Sequence, residues 1–314
     1  MIHRLAAQVP GVNLEWTDHF LATLFDHDKS KYAQEAAAGA HCTTTFMLAA
    51  EFNDSSLSFK SYLIPRKLGQ QKGLIPLPLW KESLAQLQPK NKACDLLAVI
   101  ISYTILAVDT VDTPKSRLKF YFQTASMSSA SAREIMTVGG RVPLSKPQLE
   151  DLRSLIGAVT DTPADSPEDS HVPRTHNYNP AARDNFVELP ELLSGYIYYF
   201  GMAPSSTRPD VKLYIPTRHV GPDDLSIARA LIAWLEKRGR AAYGQQYMNM
   251  LEGVAQHRRL DQGKGIQTYI GVLFRKNGEL NITSYLGAEA FDPTRVAGAR
   301  KGPRKAPRCS PGFE

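Results

Sequence analysis

The sequence has few cysteines and no long apolar run. Its three cysteines, Cys42, Cys94 and Cys309, are widely spaced and form no CxxC pair. They argue against a disulfide scaffold or a cysteine zinc site, and favour reduced thiols. The longest apolar stretch, 96–108, is interrupted by Ser-Tyr-Thr and is shorter than the roughly 18 residues of a membrane span. Because the N-terminus also lacks the basic start and apolar core of a secretory signal, we expect a soluble cytoplasmic protein with no membrane partner.

Motifs for nucleotide, hydrolase and metal chemistry are also missing. The chain has no GxGxxG, no GxxxxGKS/T and no GxSxG, so dinucleotide, P-loop and nucleophile-elbow chemistry have no support. Its histidines are not spaced as metal ligands beside an acid. No DDxxD carboxylate cluster occurs, and the nearest approach is Asp109 with Asp112. We therefore expect no metal and no other cofactor.

The positive charge is concentrated at one end of the chain. Residues 293–314 hold six basic residues against Glu314 alone, and so carry most of the net charge of +6. This Gly/Pro-rich segment has no apolar periodicity and is predicted to be a disordered tail following a domain of residues 1–292. Such a tail can bind phosphate backbones nonspecifically or serve solubility alone. We expect no specific nucleic-acid partner.

Helical segments alternate with pairs of short strands. Strand pairs are predicted over 43–52 with 57–64, 96–111 with 116–123, 196–202 with 211–217, and 265–274 with 279–286. Helices are predicted over 15–25, 79–87, 126–138, 149–159 and 224–238. The short turns make each strand pair antiparallel, which excludes a Rossmann-type parallel sheet. Residues 161–183 are predicted to form a polar, proline-rich loop.

A weak repeat occurs inside these strands. Three strands contain Lys-x-Tyr and the last pair contains Gln-x-Tyr: Lys60 and Tyr62, Lys119 and Tyr121, Lys212 and Tyr214, Gln267 and Tyr269. Residues i and i+2 share one face of a strand, and Arg117 joins the face of Lys119. The opposite faces of these strands carry apolar residues, among them Phe59 and Leu63, Phe120 and Phe122, and Leu213 and Ile215. Lys-x-Tyr also occurs on solvent-facing strands, but its recurrence favours an α+β fold, an antiparallel β-barrel of α-β-β-α units with helices outside and a polar-aromatic lumen.

Cations and phenols in one lumen suit a particular kind of substrate. Several Lys and Arg side chains can hold a diphosphate, and tyrosine faces can stabilise a carbocation. An allylic diphosphate supplies both an anionic leaving group and a cationic alkyl fragment. Since no DDxxD is present, Lys60, Arg117, Lys119 and Lys212 would have to hold the diphosphate directly, without metal.

At these residues the sequence resembles the fungal indole prenyltransferases of the dimethylallyltryptophan synthase type. The matching stretches include LSFKSYLIP (57–65), VDTPKSRLKFY (111–121), YIYYFGMAP (196–204) and HRRLDQGKGIQTYIGVLF (257–274). The resemblance covers most of residues 10–290. It implies the prenyltransferase barrel and metal-independent transfer of a dimethylallyl group from dimethylallyl diphosphate to an aromatic acceptor, usually an indole, in secondary (alkaloid) metabolism.

The resemblance also assigns roles to individual residues. It implies diphosphate contacts for Lys60, Arg117, Lys119 and Lys212, with Gln267 as an additional candidate. It implies a tyrosine shield over the prenyl cation, formed by Tyr62, Tyr121, Tyr214 and Tyr269. The residue that accepts the ring proton, the acceptor itself, the ring position and the oligomeric state are not predicted.

Two departures from the family leave an alternative open. The motif PGVNLEWTDHF (10–20) is normally preceded by a long segment with a further diphosphate arginine and an indole-binding glutamate. Some relatives also place a proton-accepting lysine in the strand before Lys60, where this chain has Glu51, Phe52 and Asn53. The competing hypothesis is therefore a non-catalytic, truncated or degenerate remnant whose barrel cannot close.

Overall fold

The chain divides into two compact units. The computed structural model describes residues 2–38, 45–53, 56–72, 76–87, 105–124, 126–173, 195–206, 208–290 and 292–295. Unit 1 comprises Met1–Leu149, Gly195–Tyr214 and Gly271–Ile282, and unit 2 comprises Glu150–Ser194, Ile215–Ile270 and Thr283–Glu314. The three cysteines and residues 296–314 of the predicted tail lie outside the described residues. The division into a domain of 1–292 and a tail stays a prediction.

Within the described part of the chain, eight strands form one sheet, each hydrogen-bonded to its neighbour in sequence. They are β1 (Phe46–Asn53), β2 (Ser56–Leu63), β3 (Ile105–Asp109), β4 (Leu118–Gln123), β5 (Ile197–Met202), β6 (Asp210–Ile215), β7 (Gln267–Phe274) and β8 (Leu280–Leu286). Every pair from β1 to β6 is antiparallel. The predicted antiparallel strand pairs are confirmed.

Helices separate the strand pairs. They are α1 (Ile2–Ala6), α2 (Glu15–Leu24), α3 (Lys29–Ala37), α4 (Arg66–Lys72), α5 (Pro76–Ala85), α6 (Ser129–Met136), α7 (Lys146–Thr160), α8 (Thr217–Val220), α9 (Asp224–Glu236) and α10 (Gly244–Val254). A 3₁₀ turn covers Leu260–Gln262. None of the described helices has the length and apolar character needed to cross a membrane.

The two faces of β2 differ as its alternation predicts. The buried face consists of Phe59, Ser61 and Leu63. Thr17 of α2 shares a buried hydrogen bond of 2.9 Å with Ser61, so this helix covers that face. The apolar residues that α2 buries recur every four positions: Trp16, Phe20 and Leu24. Lys60 and Tyr62, on the opposite face, are only half-buried, so the polar-aromatic residues lie on the other side of the sheet from the helix.

Helix α9 organises unit 2. The Asp223 side chain accepts a hydrogen bond from the backbone N–H of Ser226 at 2.9 Å and caps the helix. This contact agrees with the prediction that the acids mark the start of the helix. The helix is followed by Gly239 at a φ of +66°, a left-handed conformation that glycine adopts without strain. Its Ala228 packs in one apolar cluster with Leu251 of α10 and with Ile266, which precedes β7.

Some helices occur where none was predicted. Helix α3 has no buried residue and therefore shows no apolar stripe in the sequence. Helix α10 begins at a glycine, although Tyr247, Met248, Leu251 and Val254 recur at the spacing of an amphipathic helix and pack in one cluster. Helix α4 spans seven residues and contains a central glycine. Residues 161–173 of the predicted polar loop contain turns without helix or strand, and 174–183 lie outside the described residues.

Candidate active site

Cross-strand pairing gathers seven of the predicted site residues on one face of unit 1. Residues directly opposite each other in an antiparallel pair project from the same face. One row across the sheet joins Lys60, Asp109 and Arg117; the next joins Tyr62, Ala107, Lys119 and Gly201; the third joins Tyr121, Tyr199 and Lys212. Tyr214 lies two residues beyond Lys212 and therefore on the same face.

Three carboxylates lie among these cations. Lys119 donates from Nζ to Asp109 Oδ1 at 2.5 Å, and Arg117 donates from Nε to Asp109 Oδ2 at 2.8 Å. Lys60 pairs with Glu51 of β1, with 2.8 Å between Nζ and Oε2. The remaining cation, Lys212, is buried with its Nζ 5.3 Å from the centre of the Tyr214 ring. Asp210, two residues before Lys212 on β6, lies on the same face and acts on Arg117 by its charge. Among the described residues, four cations therefore share this face with three carboxylates, and positive charge is in excess.

Burial and the neighbouring charges shift the pKa values of this cluster in opposite directions. Burial lowers the pKa of Lys119 to about 8, although the neighbouring Asp109 carboxylate favours the charged ammonium. Burial also disfavours the ionised form of Asp109, but the charges of Lys119 and Arg117 outweigh it and hold the pKa of that carboxyl below its usual range. The hydrogen bond from Lys60 lowers the pKa of Glu51. The Asp109 and Glu51 carboxyls are thus ionised near neutral pH, and the Lys119 ammonium begins to lose its proton near pH 8.

Four tyrosines form a group beside these cations. Ring centres lie 6.0 Å apart for Tyr62 and Tyr121, 5.4 Å for Tyr121 and Tyr199, and 6.1 Å for Tyr121 and Tyr214. Burial raises the pKa of Tyr121 well above its usual range, so its phenol stays neutral. Such faces attract a cation through the ring quadrupole without adding a negative charge.

Tyr199 and Asp109 were not among the predicted site residues. Tyr199 lies in the continuous aromatic run YIYYF, where period-2 alternation is hidden, and only its pairing with Tyr121 reveals its face. The adjacent Gly201 gives its ring room, since a Cβ there would approach Tyr199 Cε2 to 3.1 Å. Asp109 is the last residue of β3, and the other residues of that strand are apolar. An acid at the end of an apolar strand is the sequence signal that could have identified it as a site residue.

The two remaining predicted residues, Gln267 and Tyr269, lie on β7 in unit 2. The Gln267 side chain is fully buried: its Oε1 accepts from Tyr247 Oη at 2.6 Å and its Nε2 donates to the Asp224 carbonyl at 2.7 Å. These bonds give the amide a role inside unit 2, and its assignment to the diphosphate stays a prediction. Burial raises the pKa of Tyr269 to about 12.

Within the described residues, no three His, Cys, Asp or Glu side chains are grouped so that they could hold a metal ion. Asp109 faces the cation cluster, whereas Asp112 is exposed and pairs with Lys115, with 3.7 Å between Oδ2 and Nζ. The two aspartates that most nearly approach a DDxxD motif therefore have different surroundings.

The fold is shared with solved prenyltransferases. The NotF prenyltransferase superposes with a TM-score of 0.69 at 18% identity, over 91% of this chain and 70% of that one. AnaPT from Neosartorya fischeri gives 0.70 at 20% identity, over 91% and 67%. At such low identity these likenesses establish the fold alone. They confirm the predicted fold class, and with the relatives below they define the protein as a prenyltransferase.

The chain belongs to the tryptophan dimethylallyltransferase family, which matches residues 1–250. It is 53% identical over 304 residues to prenyltransferase anuH of Penicillium roqueforti, covering 94% of this chain and 67% of that protein. It is 36% identical over 318 residues to xanthone prenyltransferase B of Emericella nidulans, covering 97% and 68%. The predicted family membership and the enzyme class, a transferase, are confirmed.

Proposed function

We propose that the protein transfers a dimethylallyl group from dimethylallyl diphosphate to an aromatic ring, without metal. The observation that carries the proposal is the excess of cations beside a group of tyrosines on one face of unit 1. Crystal structures of NotF with brevianamide F and DMSPP, and of PriB with L-tryptophan and dimethylallyl thiolodiphosphate, are among those with this fold. They support a prenyl diphosphate as the donor.

The donor is activated by charge. As the allylic C–O bond breaks, both bonding electrons go to the departing diphosphate, whose growing charge faces Lys60, Arg117, Lys119 and Lys212. A unit charge pair at ~4 Å contributes on the order of 4 kcal/mol at an effective dielectric near 20, before desolvation. Several such pairs supply the electrostatic stabilisation that a bound metal gives in other enzymes.

The allylic cation left behind needs shielding from water. Tyr62, Tyr121, Tyr199 and Tyr214 present aromatic rings close to the cations, and each ring contributes roughly 0.5–2 kcal/mol to a desolvated cation. Tyr269 completes the proposed set. Excluding water keeps the cation available to the acceptor instead of being quenched to an alcohol.

The acceptor completes the reaction by attacking the cation with a ring carbon. A new C–C bond forms, and the ring proton is then lost to a base that restores aromaticity. An indole, as in tryptophan or a tryptophan-containing peptide, is the first proposed acceptor, supported by the family description and by the ligands of NotF and PriB. We place this reaction in secondary (alkaloid) metabolism, as the resemblance implies.

A second acceptor class has specific support. Two relatives, each 36% identical to this chain, are named xanthone prenyltransferases A and B, whereas the tryptophan- and brevianamide-binding structures are 18–20% identical. Xanthones are aromatic ketones whose hydroxylated rings are also electron-rich. An oxygenated polycyclic acceptor is therefore the alternative to indole.

The test is product formation from dimethylallyl diphosphate with a panel of indoles and a panel of hydroxyxanthones. Each reaction is run with excess EDTA and again with added magnesium. We expect a prenylated product from one panel, at a rate that the chelator leaves unchanged. Activity that vanishes with EDTA and returns with magnesium would reject the direct role of the cations.

Ligand binding distinguishes the proposed enzyme from the alternative of a non-catalytic remnant. A functional diphosphate site raises the melting temperature, because a ligand at a hundred times its Kd adds about 2.7 kcal/mol to the stability of the folded state. A broad melt that pyrophosphate does not shift, together with no product from either panel, would favour a remnant.

A further inference from the structure

Asp109 occupies the centre of the cation cluster. It is the last residue of β3, lies directly opposite Lys60 on β2, and donates its backbone N–H to the Arg117 carbonyl of the next strand at 3.3 Å. Its side chain is one-tenth exposed and accepts from Lys119 and Arg117 on separate oxygens. One carboxylate therefore holds the side chains of two of the four residues that are proposed to bind the diphosphate.

The geometry of these bonds leaves donors for another anion. Asp109 accepts from Nε of Arg117, which keeps the two terminal nitrogens of the guanidinium outside this bond. Its bond to Lys119 uses one of the three ammonium protons. The carboxylate thus orients both cations while their other N–H groups can face a diphosphate.

We propose that Asp109 is a positioning residue for the prenyl diphosphate: it presets Arg117 and Lys119 and keeps Lys119 charged before the diphosphate binds. This inference rests on the proposed function, because it concerns the same diphosphate site. A buried carboxylate at the end of an apolar strand is unfavourable by itself, and its two cations compensate for it.

The charge of Lys119 depends on all the groups that face it. The charged and titratable groups on neighbouring strands are Glu51 of β1, Lys60 of β2, Asp109 of β3, Arg117 preceding β4, Tyr199 of β5, and Asp210 and Lys212 of β6. Asp109 is the carboxylate in contact with Lys119, and it raises the pKa of that ammonium against burial. Without it, the Lys119 pKa falls below its present value of about 8.

The test measures binding of inorganic pyrophosphate by calorimetry at pH 6.5 and 8.5, in excess EDTA. Four chains are compared: the unaltered protein, Asp109→Asn, Asp109→Glu and Asp112→Asn. Asp112→Asn is the matched control, since it removes a nearby exposed acid that pairs with the exposed Lys115. Circular dichroism and a thermal melt establish that each chain is folded. The titration of pyrophosphate itself is common to all chains and cancels in the ratio of dissociation constants.

Asp109→Asn is expected to weaken binding increasingly as the pH rises. A tenfold increase in the acid dissociation constant of Lys119 makes the ratio of variant to unaltered Kd grow about sixfold between pH 6.5 and 8.5. Asp109→Glu keeps the charge but displaces the carboxylate, so its Kd should rise about threefold or more, by the same factor at both pH values. Asp112→Asn should bind like the unaltered protein.

A ratio for Asp109→Asn that is the same at both pH values overturns the proposal, because a merely structural defect is independent of the Lys119 charge. If Asp109→Asn does not fold, Asp109→Glu decides: binding equal to that of the unaltered protein overturns the proposal. Failure of the proposed function has a different signature, since the unaltered protein would then bind no pyrophosphate at either pH.

Discussion

Units 1 and 2 each contain a network of charged side chains, and the two networks are built differently. In unit 1, four cations share a face with Glu51, Asp109 and Asp210. In unit 2, Arg258 bridges Asp224 and Glu289. The unit 2 carboxylates have further donors, since Asp224 accepts the backbone N–H of Gln267 at 2.8 Å and Glu289 pairs with His257.

The difference separates a binding face from a structural network. Asp224 is fully buried and uses backbone groups of β7 as permanent partners, so its network holds α9 to that strand. Among the described residues on this face of unit 1, cations outnumber carboxylates, and a diphosphate is an anion that would balance them. An excess of partly or fully buried cations is therefore the more specific mark of a ligand site than ion pairing itself.

The largest expected effect comes from removing a cation of unit 1. Lys119→Ala should lower kcat/KM for dimethylallyl diphosphate by about 100- to 1000-fold, as expected for loss of one electrostatic stabiliser of the leaving group. The melting temperature should change little, because Arg117 still pairs with Asp109. Lys115→Ala, on an exposed lysine, is the control. Full turnover by the Lys119 variant would remove this residue from the mechanism.

Removing a carboxylate of unit 2 should lower the stability of the fold, in contrast to removing a cation of unit 1, which should lower activity. Asp224→Ala leaves the Arg258 guanidinium and two backbone N–H groups without their carboxylate, and should destabilise the fold by about 3 kcal/mol. Urea unfolding measures the loss, with Asp223→Asn as control because asparagine also caps helices. A fully stable Asp224 variant would contradict the structural role.

The pH dependence of activity should also belong to unit 1. Lys119 has a pKa of about 8, so kcat/KM should fall above that pH, approaching tenfold per pH unit, as the ammonium loses its proton. Lys119→Arg keeps its charge and should retain activity to higher pH. A profile that is flat to pH 9.5 in the unaltered protein would show that the charge of Lys119 is not required.

The smallest expected effect concerns the tyrosine that the sequence did not reveal. Tyr199→Leu removes one ring of the group and should lower the rate about threefold to tenfold, while raising the share of dimethylallyl alcohol formed by water attack. Product ratios by chromatography measure it. Tyr243→Leu, on an exposed tyrosine of unit 2, should change neither quantity.

Much of the fold was accessible from the sequence because its signals are local. The Lys-Asn-Gly turn predicts the last hairpin, and Gly278 indeed has a φ of +84° between β7 and β8. Alternation of polar and apolar residues places Lys60 and Tyr62 on one face of β2. Helix α10 escaped prediction although Tyr247, Met248, Leu251 and Val254 recur at helical spacing, because it begins at one glycine and has another before its last residue, and glycine disfavours helices.

Lys-x-Tyr recurrence determined by itself which strand faces carry the cations and phenols, since the side-chain period of a strand is two residues. Only the tertiary structure decided that Asp109 lies between Lys119 and Arg117, that Tyr199 joins Tyr121, and that the Gln267 amide is used inside unit 2. These relations depend on the register between paired strands and, for Gln267, on the position of Tyr247 of α10 beside β7. The residues around a given position in the sequence do not show which distant residue will lie beside it in the fold.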